Sequence, residues 1–256
     1  MNKAVILCGG RGTRLAPLTD DRQKCMIPLA GKPVLLHVIE HFKKYGVREF
    51  ILITGYRKED VMEFFKDGSQ FGIQVAYTIC EGGTALSLMA AKPWIKEPFF
   101  FAYGDLISDF DLKTLFEAHT KKAEKQGAIV TLALLEFPGD VSRFGVAEIE
   151  GNAKEGRIEK FIEKPTPSET SSRLINAGLM VCSPEVFDHL GNPDDFSFEK
   201  QVLPILAKDG KVYGVTMDAK SLWIDIGKYE DYQKARRILE KAMGQGQGQG
   251  QGRGKP

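Results

Sequence analysis

Five consecutive apolar residues, Ala4 to Cys8, stop abruptly at Gly9-Gly10, and Gly12, Thr13, Arg14 and Leu15 follow at once. An apolar run this short has no solvent-facing side, so it suits a central parallel strand covered on both faces. Parallel strands need long crossover connections, which commits a chain of this kind to an α/β fold. The next segments agree. From Pro33, a good first helical residue, Leu35, Leu36, Val38, Ile39 and Phe42 make an apolar stripe as far as Tyr45-Gly46. Strands are predicted at 50–54, 73–79, 99–103 and 129–135, alternating with helices at 58–65, 84–91 and 112–125. That alternation predicts a doubly wound, mostly parallel sheet with helices on both faces.

The rhythm changes after Phe137-Pro138-Gly139. Two short runs at 146–150 and 157–163 flank Gly151-Asn152 and read as a β-hairpin rather than a crossover unit. A buried strand at 179–182, a short helix from Pro184, a helix at 198–207, strands at 212–216 and 222–226 and a last helix at 228–242 complete the pattern. The expected organisation is one domain over 1–243, with halves at about 1–137 and 138–243 sharing a core. Residues 244–256 alternate glycine with Gln or Arg, have nothing to bury, and read as a disordered tail.

Composition removes several classes of function. Lys plus Arg total 35 against 34 Asp plus Glu, a net charge of +1, which gives no electrostatic reason to expect nucleic acid or an acidic membrane as partner. The four cysteines, Cys8, Cys25, Cys80 and Cys182, are scattered without a C-x-x-C pair, unlike a zinc site or disulfide framework. The N-terminus lacks a signal-peptide pattern, and no apolar stretch approaches the roughly 20 residues of a membrane helix. A cytoplasmic protein is expected, and a homo-oligomer is compatible with it.

Function is carried by the glycines after the first strand. Gly9, Gly10 and Gly12 let the backbone turn sharply and bring amide N–H groups against a polyphosphate. Arg14 can fork onto phosphate oxygens, and Lys24 adds a second cation. Two familiar phosphate loops do not fit: Leu15 stands where a dinucleotide fingerprint needs its third glycine, and no Gly-Lys-Ser/Thr occurs. His37 and His41 have metal-ligand spacing on a predicted helix but lack the accompanying glutamate and third ligand.

The stretch from Lys3 to Pro33 resembles the entrance of the nucleotide-sugar pyrophosphorylases, the sugar-1-phosphate nucleotidylyltransferases. Their Gly-Gly-x-Gly-Thr-Arg-Leu, Pro-Leu-Thr, Pro-Lys and Lys-Pro steps occur here as Gly9 to Leu15, Pro17-Leu18-Thr19, Gln23-Lys24 and Lys32-Pro33. Gln23 replaces the usual proline, and Cys25 also departs from the pattern. The resemblance continues through Gly104-Asp105, Arg143-Phe144-Gly145, Glu163-Lys164-Pro165, Asn176-Ala177-Gly178 and Trp223 to Gly227. Near the base pocket, Glu81-Gly82-Gly83-Thr84-Ala85-Leu86 is one residue shorter than the family's Glu-x-x-Gly-Thr-Ala-Gly, and Leu86 replaces its last glycine.

This resemblance implies a Rossmann-like nucleotidyltransferase fold, with a nucleotide half followed by a sugar-phosphate half. It implies Mg²⁺ held by Asp105 and Asp225, catalytic roles for Arg14 and Lys24, and a nucleotide held by Gly9, Gly10, Gly12, Thr13, Arg14, Glu81 and Gly83. Gly145, Glu163, Lys164, Asn176 and Gly178 would hold the sugar phosphate. The expected substrates are a nucleoside triphosphate (NTP) and a hexose 1-phosphate, and the products an NDP-sugar and pyrophosphate. The short form, with Phe198-Glu199-Lys200 and Trp223 to Gly227 near its end, looks nearest to mannose-1-phosphate guanylyltransferases, with glucose-1-phosphate uridylyl-, thymidylyl- and cytidylyltransferases as alternatives. Two further alternatives are a glycosyltransferase, whose Asp-x-Asp motif occurs at Asp109-Phe110-Asp111, and a regulatory paralogue that binds nucleotide sugar without turnover.

Overall fold

The computed structural model describes residues 2–152, 154–191, 196–218 and 220–247. The chain opens with β1 (Lys3–Leu7), a small hairpin of β2 (Pro28–Leu29) and β3 (Lys32–Pro33), and α1 (Val34–Lys44). Next come β4 (Glu49–Thr54), α2 (Lys58–Phe65), β5 (Gln74–Ile79), α3 (Thr84–Met89), β6 (Phe99–Tyr103), β7 (Leu106–Ser108) and α4 (Leu112–Gln126). The second half holds β8 (Val130–Glu136), β9 (Gly145–Ile149), β10 (Glu155–Glu163), β11 (Leu174–Cys182), α5 (Leu203–Lys208), β12 (Val212–Thr216), β13 (Trp223–Asp225) and α6 (Tyr229–Gln247).

Nine strands form one sheet in the order β5-β4-β1-β6-β11-β8-β12-β10-β9. β5, β4, β1 and β6 are mutually parallel, as the alternating pattern predicted. β11 then enters antiparallel between β6 and β8, so the sheet is mixed from there on. The hairpin expected around Gly151-Asn152 is the antiparallel pair β9–β10. β11 begins at Leu174, earlier than read, because its register shifts between Asn176 and Met180 and that irregularity looks like a turn in sequence.

Alternation along the strands divides the core in two. Ala4, Ile6 and Phe100 face α1, α2 and α4, against Leu35, Phe42, Phe65 and Leu115. Val5, Phe99 and Phe101 face the opposite side, against Leu88 of α3 and Leu203 and Leu206 of α5. A third apolar cluster joins Leu15, Ile27, Ile107, Ile224, Ile226 and Tyr232, seating the glycine entrance on the short β7–β13 ribbon and α6. α6 continues five residues beyond its expected end, to Gln247, since a helix once nucleated propagates at small cost per residue. The rest of the expected tail, 248–256, lies outside the described residues. No helix among the described residues is long and apolar enough to cross a membrane.

A histidine is among the polar groups wholly inside this core. His119 of α4 is fully buried, with Thr131 Oγ1 3.0 Å from its Nδ1 and Ser183 Oγ 3.0 Å from its Nε2. Burial pushes its pKa down to about 4. The unfolded chain therefore takes up this proton below about pH 6.5, whereas the folded protein does so only near pH 4, so acid favours unfolding across that window. The full effect is about 3 kcal/mol. Urea unfolding at pH 7 and pH 4.5 should show this loss, and His119→Gln, which cannot titrate, should flatten the pH dependence.

Candidate active site

A cleft of about 620 Å³ opens beyond the carboxyl ends of β1, β4 and β6, where open α/β sheets place their ligands. Its first wall is the glycine entrance. Gly9 lies against the neighbouring crossover: a Cβ there would come 3.0 Å from Gly55 N, and Gly9 O accepts from Tyr56 N at 3.1 Å. Gly10 has nothing within 4 Å of where a side chain would begin, which leaves its backbone open to a ligand. Gly12 adopts φ 66° and starts a 3₁₀ turn, Thr13–Leu15, that buries Leu15 and leaves Arg14 exposed at the cleft. Gly9, Gly10, Arg14, Lys24 and Glu81 line the cleft, whereas the predicted Gly12, Thr13 and Gly83 are not among its lining residues.

Gln23 explains how Lys24 is aimed. Its fully buried side chain donates to Cys8 O and accepts from Cys25 N, and its own N–H donates to Asp60 Oδ2 at 2.7 Å. These bonds pin the 3₁₀ turn Lys24–Met26 to the end of β1, doing by hydrogen bonding what a proline would do by rigidity. Lys24 then reaches Asp105 Oδ2 in a hydrogen-bonded ion pair with little exposure on either side. Burial opposes the Lys24 charge, but Asp105 outweighs it and holds the ammonium's pKa above its ordinary value.

β7 and β13 bring the two predicted metal aspartates together. The ribbon pairs Asp225 with Leu106, and Ile226 N donates to Asp105 O at 3.1 Å. Burial, then the neighbouring Asp105, push the Asp225 pKa up to about 6. Two crowded carboxylates beside the glycine entrance are a donor set that a hard divalent cation would relieve. Arg143 approaches the same group, 3.1 Å from Asp231 Oδ2 and 3.8 Å from Asp225 Oδ2.

The opposite wall comes from β9, β10 and β11. Gly145 faces Glu163 across the hairpin, and a Cβ on Gly145 would sit 2.3 Å from Phe161 Cζ. Burial and the nearby Glu199 raise the Glu163 pKa above its ordinary value. Lys164 is held at φ 54°, in the left-handed region, by its N–H donating to Phe144 O at 2.9 Å. Asn176 Oδ1 accepts from Gly178 N at 3.0 Å, and Gly178, at φ 71°, has no room for a side chain against Leu106 and Tyr103. All five predicted sugar-phosphate residues line the cleft.

Tyr103 and Glu199 belong to this wall and were not among the predicted site residues. Glu199 is buried on a π-helical turn, Phe198–Val202, and accepts from Tyr103 OH. Burial and Glu199 keep the Tyr103 phenol protonated. The histidines at 37 and 41 each bond a backbone carbonyl, of Leu29 and Phe110, and the Asp-x-Asp aspartates are also occupied. Asp111 caps α4, and Asp109 accepts from Leu222 N at 2.8 Å.

Residues 3–242 match the nucleotidyl transferase family. The chain belongs to that family. Among relatives, it is 34% identical over 251 residues to a UTP–glucose-1-phosphate uridylyltransferase of Synechocystis sp., covering 92% of this chain and 62% of that protein. It is 36% identical over 236 residues to the mannose-1-phosphate guanylyltransferase catalytic subunit beta of Drosophila melanogaster, covering 90% and 60%. The chain thus spans about 60% of the length of these curated relatives. The crystal structure of HddC from Yersinia pseudotuberculosis complexed with GMP-PN superimposes with a TM-score of 0.74 at 27% identity, covering 93% of this chain and all of that one.

Proposed function

We propose that this nucleotidyl transferase joins a sugar 1-phosphate to a nucleoside triphosphate, forming a nucleotide sugar and releasing pyrophosphate. The observation that carries the reading is one cleft in which Lys24, Asp105 and Asp225 lie between the glycine entrance and the Glu163-Lys164 wall. Residues to about 137 form the nucleotide half in this reading, and those from about 138 the sugar-phosphate half.

A sugar 1-phosphate is ionised near neutral pH, so its oxygen attacks the α-phosphorus without a general base. The side chains need only align the reactants and stabilise charge as pyrophosphate leaves. Arg14 and the Gly9 and Gly10 backbone hold the triphosphate, and Lys24 steadies the reacting phosphoryl group. Lys164 holds the incoming phosphate, and Glu163 and Glu199 accept from sugar hydroxyls. Asp105 and Asp225 would hold Mg²⁺, which supplies positive charge against the phosphate oxygens.

GTP with mannose 1-phosphate is the pair this reading names first. Glu81, at the nucleotide end of the cleft, offers two acceptors that suit the N1–H and 2-amino donors of guanine, whereas uracil and thymine present a single N–H between carbonyls. The likeness to the Drosophila guanylyltransferase and to HddC with its guanine nucleotide analogue supports the same choice. Purified protein tested with GTP, UTP, dTTP and CTP against mannose and glucose 1-phosphates should release pyrophosphate only when both substrates and Mg²⁺ are present. Turnover unchanged by excess EDTA would remove the metal from the reading. Nucleotide-sugar binding without pyrophosphate release for any pair would favour the regulatory alternative.

Lys164 tests the sugar side. Lys164→Ala should raise the KM for sugar 1-phosphate, with a loss in kcat/KM of roughly ten- to a hundredfold, and leave that for triphosphate nearly unchanged. Lys164→Gly should show the same kinetic defect in a protein stabilised by about 1 kcal/mol, because glycine adopts the left-handed conformation without strain. Steady-state kinetics and thermal melting of the two variants check both halves of that expectation.

A further inference from the structure

The loop on the nucleotide side of the cleft is fastened directly to the carboxylate on the sugar side. Thr84, the first residue of α3, follows Glu81-Gly82-Gly83 without a break. Its Oγ1 donates to Glu199 Oε2 at 2.6 Å and accepts from Phe198 N at 2.9 Å. The next amide, Ala85 N, donates to Phe196 O at 3.0 Å. Three consecutive contacts therefore dock the start of α3 on the segment that carries Glu199, although the two lie far apart in sequence.

Glu199 is also held by Ser197 Oγ, which donates to Oε2 at 2.8 Å, and by the Tyr103 hydroxyl on Oε1. A carboxylate has about four lone-pair directions, so three hydroxyl donors leave roughly one for a ligand in the cleft. Its orientation is consequently set by its neighbours before any sugar arrives. Tyr103 ends β6, just ahead of Asp105, and Ser197 belongs to the same turn as Glu199. Thr84 alone of the three donors adjoins the loop on the nucleotide side, Glu81 to Gly83.

We propose that Thr84 is a positioning residue which, through its hydroxyl, couples nucleotide occupancy to the pose of Glu199 and so to sugar-phosphate binding. This rests on the nucleotidylyltransferase reading above. A triphosphate ordering the 81–84 loop fixes Thr84, Thr84 fixes the Glu199 carboxylate, and the sugar hydroxyl meets an acceptor already aimed. Linkage makes the effect reciprocal, so bound sugar phosphate improves nucleotide binding by the same factor.

The test measures the Kd of the sugar 1-phosphate, with and without a non-hydrolysable triphosphate analogue, in wild type, Thr84→Val, Thr84→Ser and Tyr103→Phe. Wild type should bind the sugar phosphate more tightly when the analogue is present. Thr84→Val keeps the side-chain shape but loses the donor; it should weaken sugar-phosphate binding about tenfold in the presence of analogue and abolish the coupling. Thr84→Ser should restore both, which a packing role for the methyl group would not allow. Tyr103→Phe should weaken sugar-phosphate binding yet keep the coupling, since its donor is not part of the loop. Should Thr84→Val fail to fold, Thr84→Ala takes its place. Coupling in Thr84→Val equal to wild type, or a Thr84→Ser variant as defective as Thr84→Val, would overturn the proposal. If wild type released no pyrophosphate with any substrate pair, the underlying reading would fall, and the latch with it.

Discussion

Asp225→Asn should cost at least about a hundredfold in turnover while making the protein more stable. The kinetic loss follows from removing one of the two carboxylates that, in the proposed reading, would hold Mg²⁺. The gain in stability follows from the cost of holding that charge in place. Burial and Asp105 raise the Asp225 pKa to about 6, well above the ordinary value of 3.8. The folded protein therefore resists losing this proton, and the penalty grows as pH rises from about 4 to about 6 and is complete above that. At pH 7 the difference corresponds to about 2–3 kcal/mol, which the uncharged amide avoids. Melting measured at pH 7 and pH 4.5 should show the advantage of Asp225→Asn at the higher pH and little at the lower. A variant less stable than wild type at pH 7 would mean that the pairing with Arg143 outweighs the crowding with Asp105.

Lys24→Ala should also cripple turnover but move stability in the opposite direction. Its ammonium lies on Asp105 with both side chains largely buried, so removing it leaves two carboxylates crowded in one place. Breaking such a pair costs about 3 kcal/mol. The expected kinetic signature is a fall in kcat of roughly a hundred- to a thousandfold, the range seen when one donor to a developing charge is deleted. The KM for sugar 1-phosphate should change far less, in contrast to Lys164→Ala. Lys24→Arg should not restore the rate, because a planar fork cannot replace a compact point charge at the same reach. The double variant Lys24→Ala with Asp105→Asn should recover stability without recovering turnover, since it removes the unpaired charge but not the need for a cation.

Much of this arrangement was legible in the residues because it is local. The apolar run of β1, the stripe of α1 and the glycine entrance each declare themselves within a dozen positions, and α2 and β6 fall where periodicity placed them. The features that escaped are long-range. Leu106–Ser108 is too short to show alternation, so although a strand was read at 222–226, nothing showed its pairing with Leu106–Ser108, which sets Asp105 beside Asp225. Gln23 looked like a lost proline, because nothing adjacent reveals that its amide reaches Cys8 and Cys25. Glu199 was passed over as a site residue because two of its three donors, Thr84 and Tyr103, lie far away in sequence, and only the folded chain brings them to it.

The antiparallel entry of β11 has a practical consequence for anyone wishing to divide this protein. A fragment ending near residue 137 would contain β6 with one long edge uncovered, since its partner on that side is β11, from the far end of the hairpin region. That edge carries Phe99, Phe100 and Phe101, fully buried in the intact chain. An exposed strand edge flanked by apolar side chains invites pairing with another copy, so the separated half should self-associate and precipitate. Cosynthesis with a fragment that supplies β11 should keep it in solution.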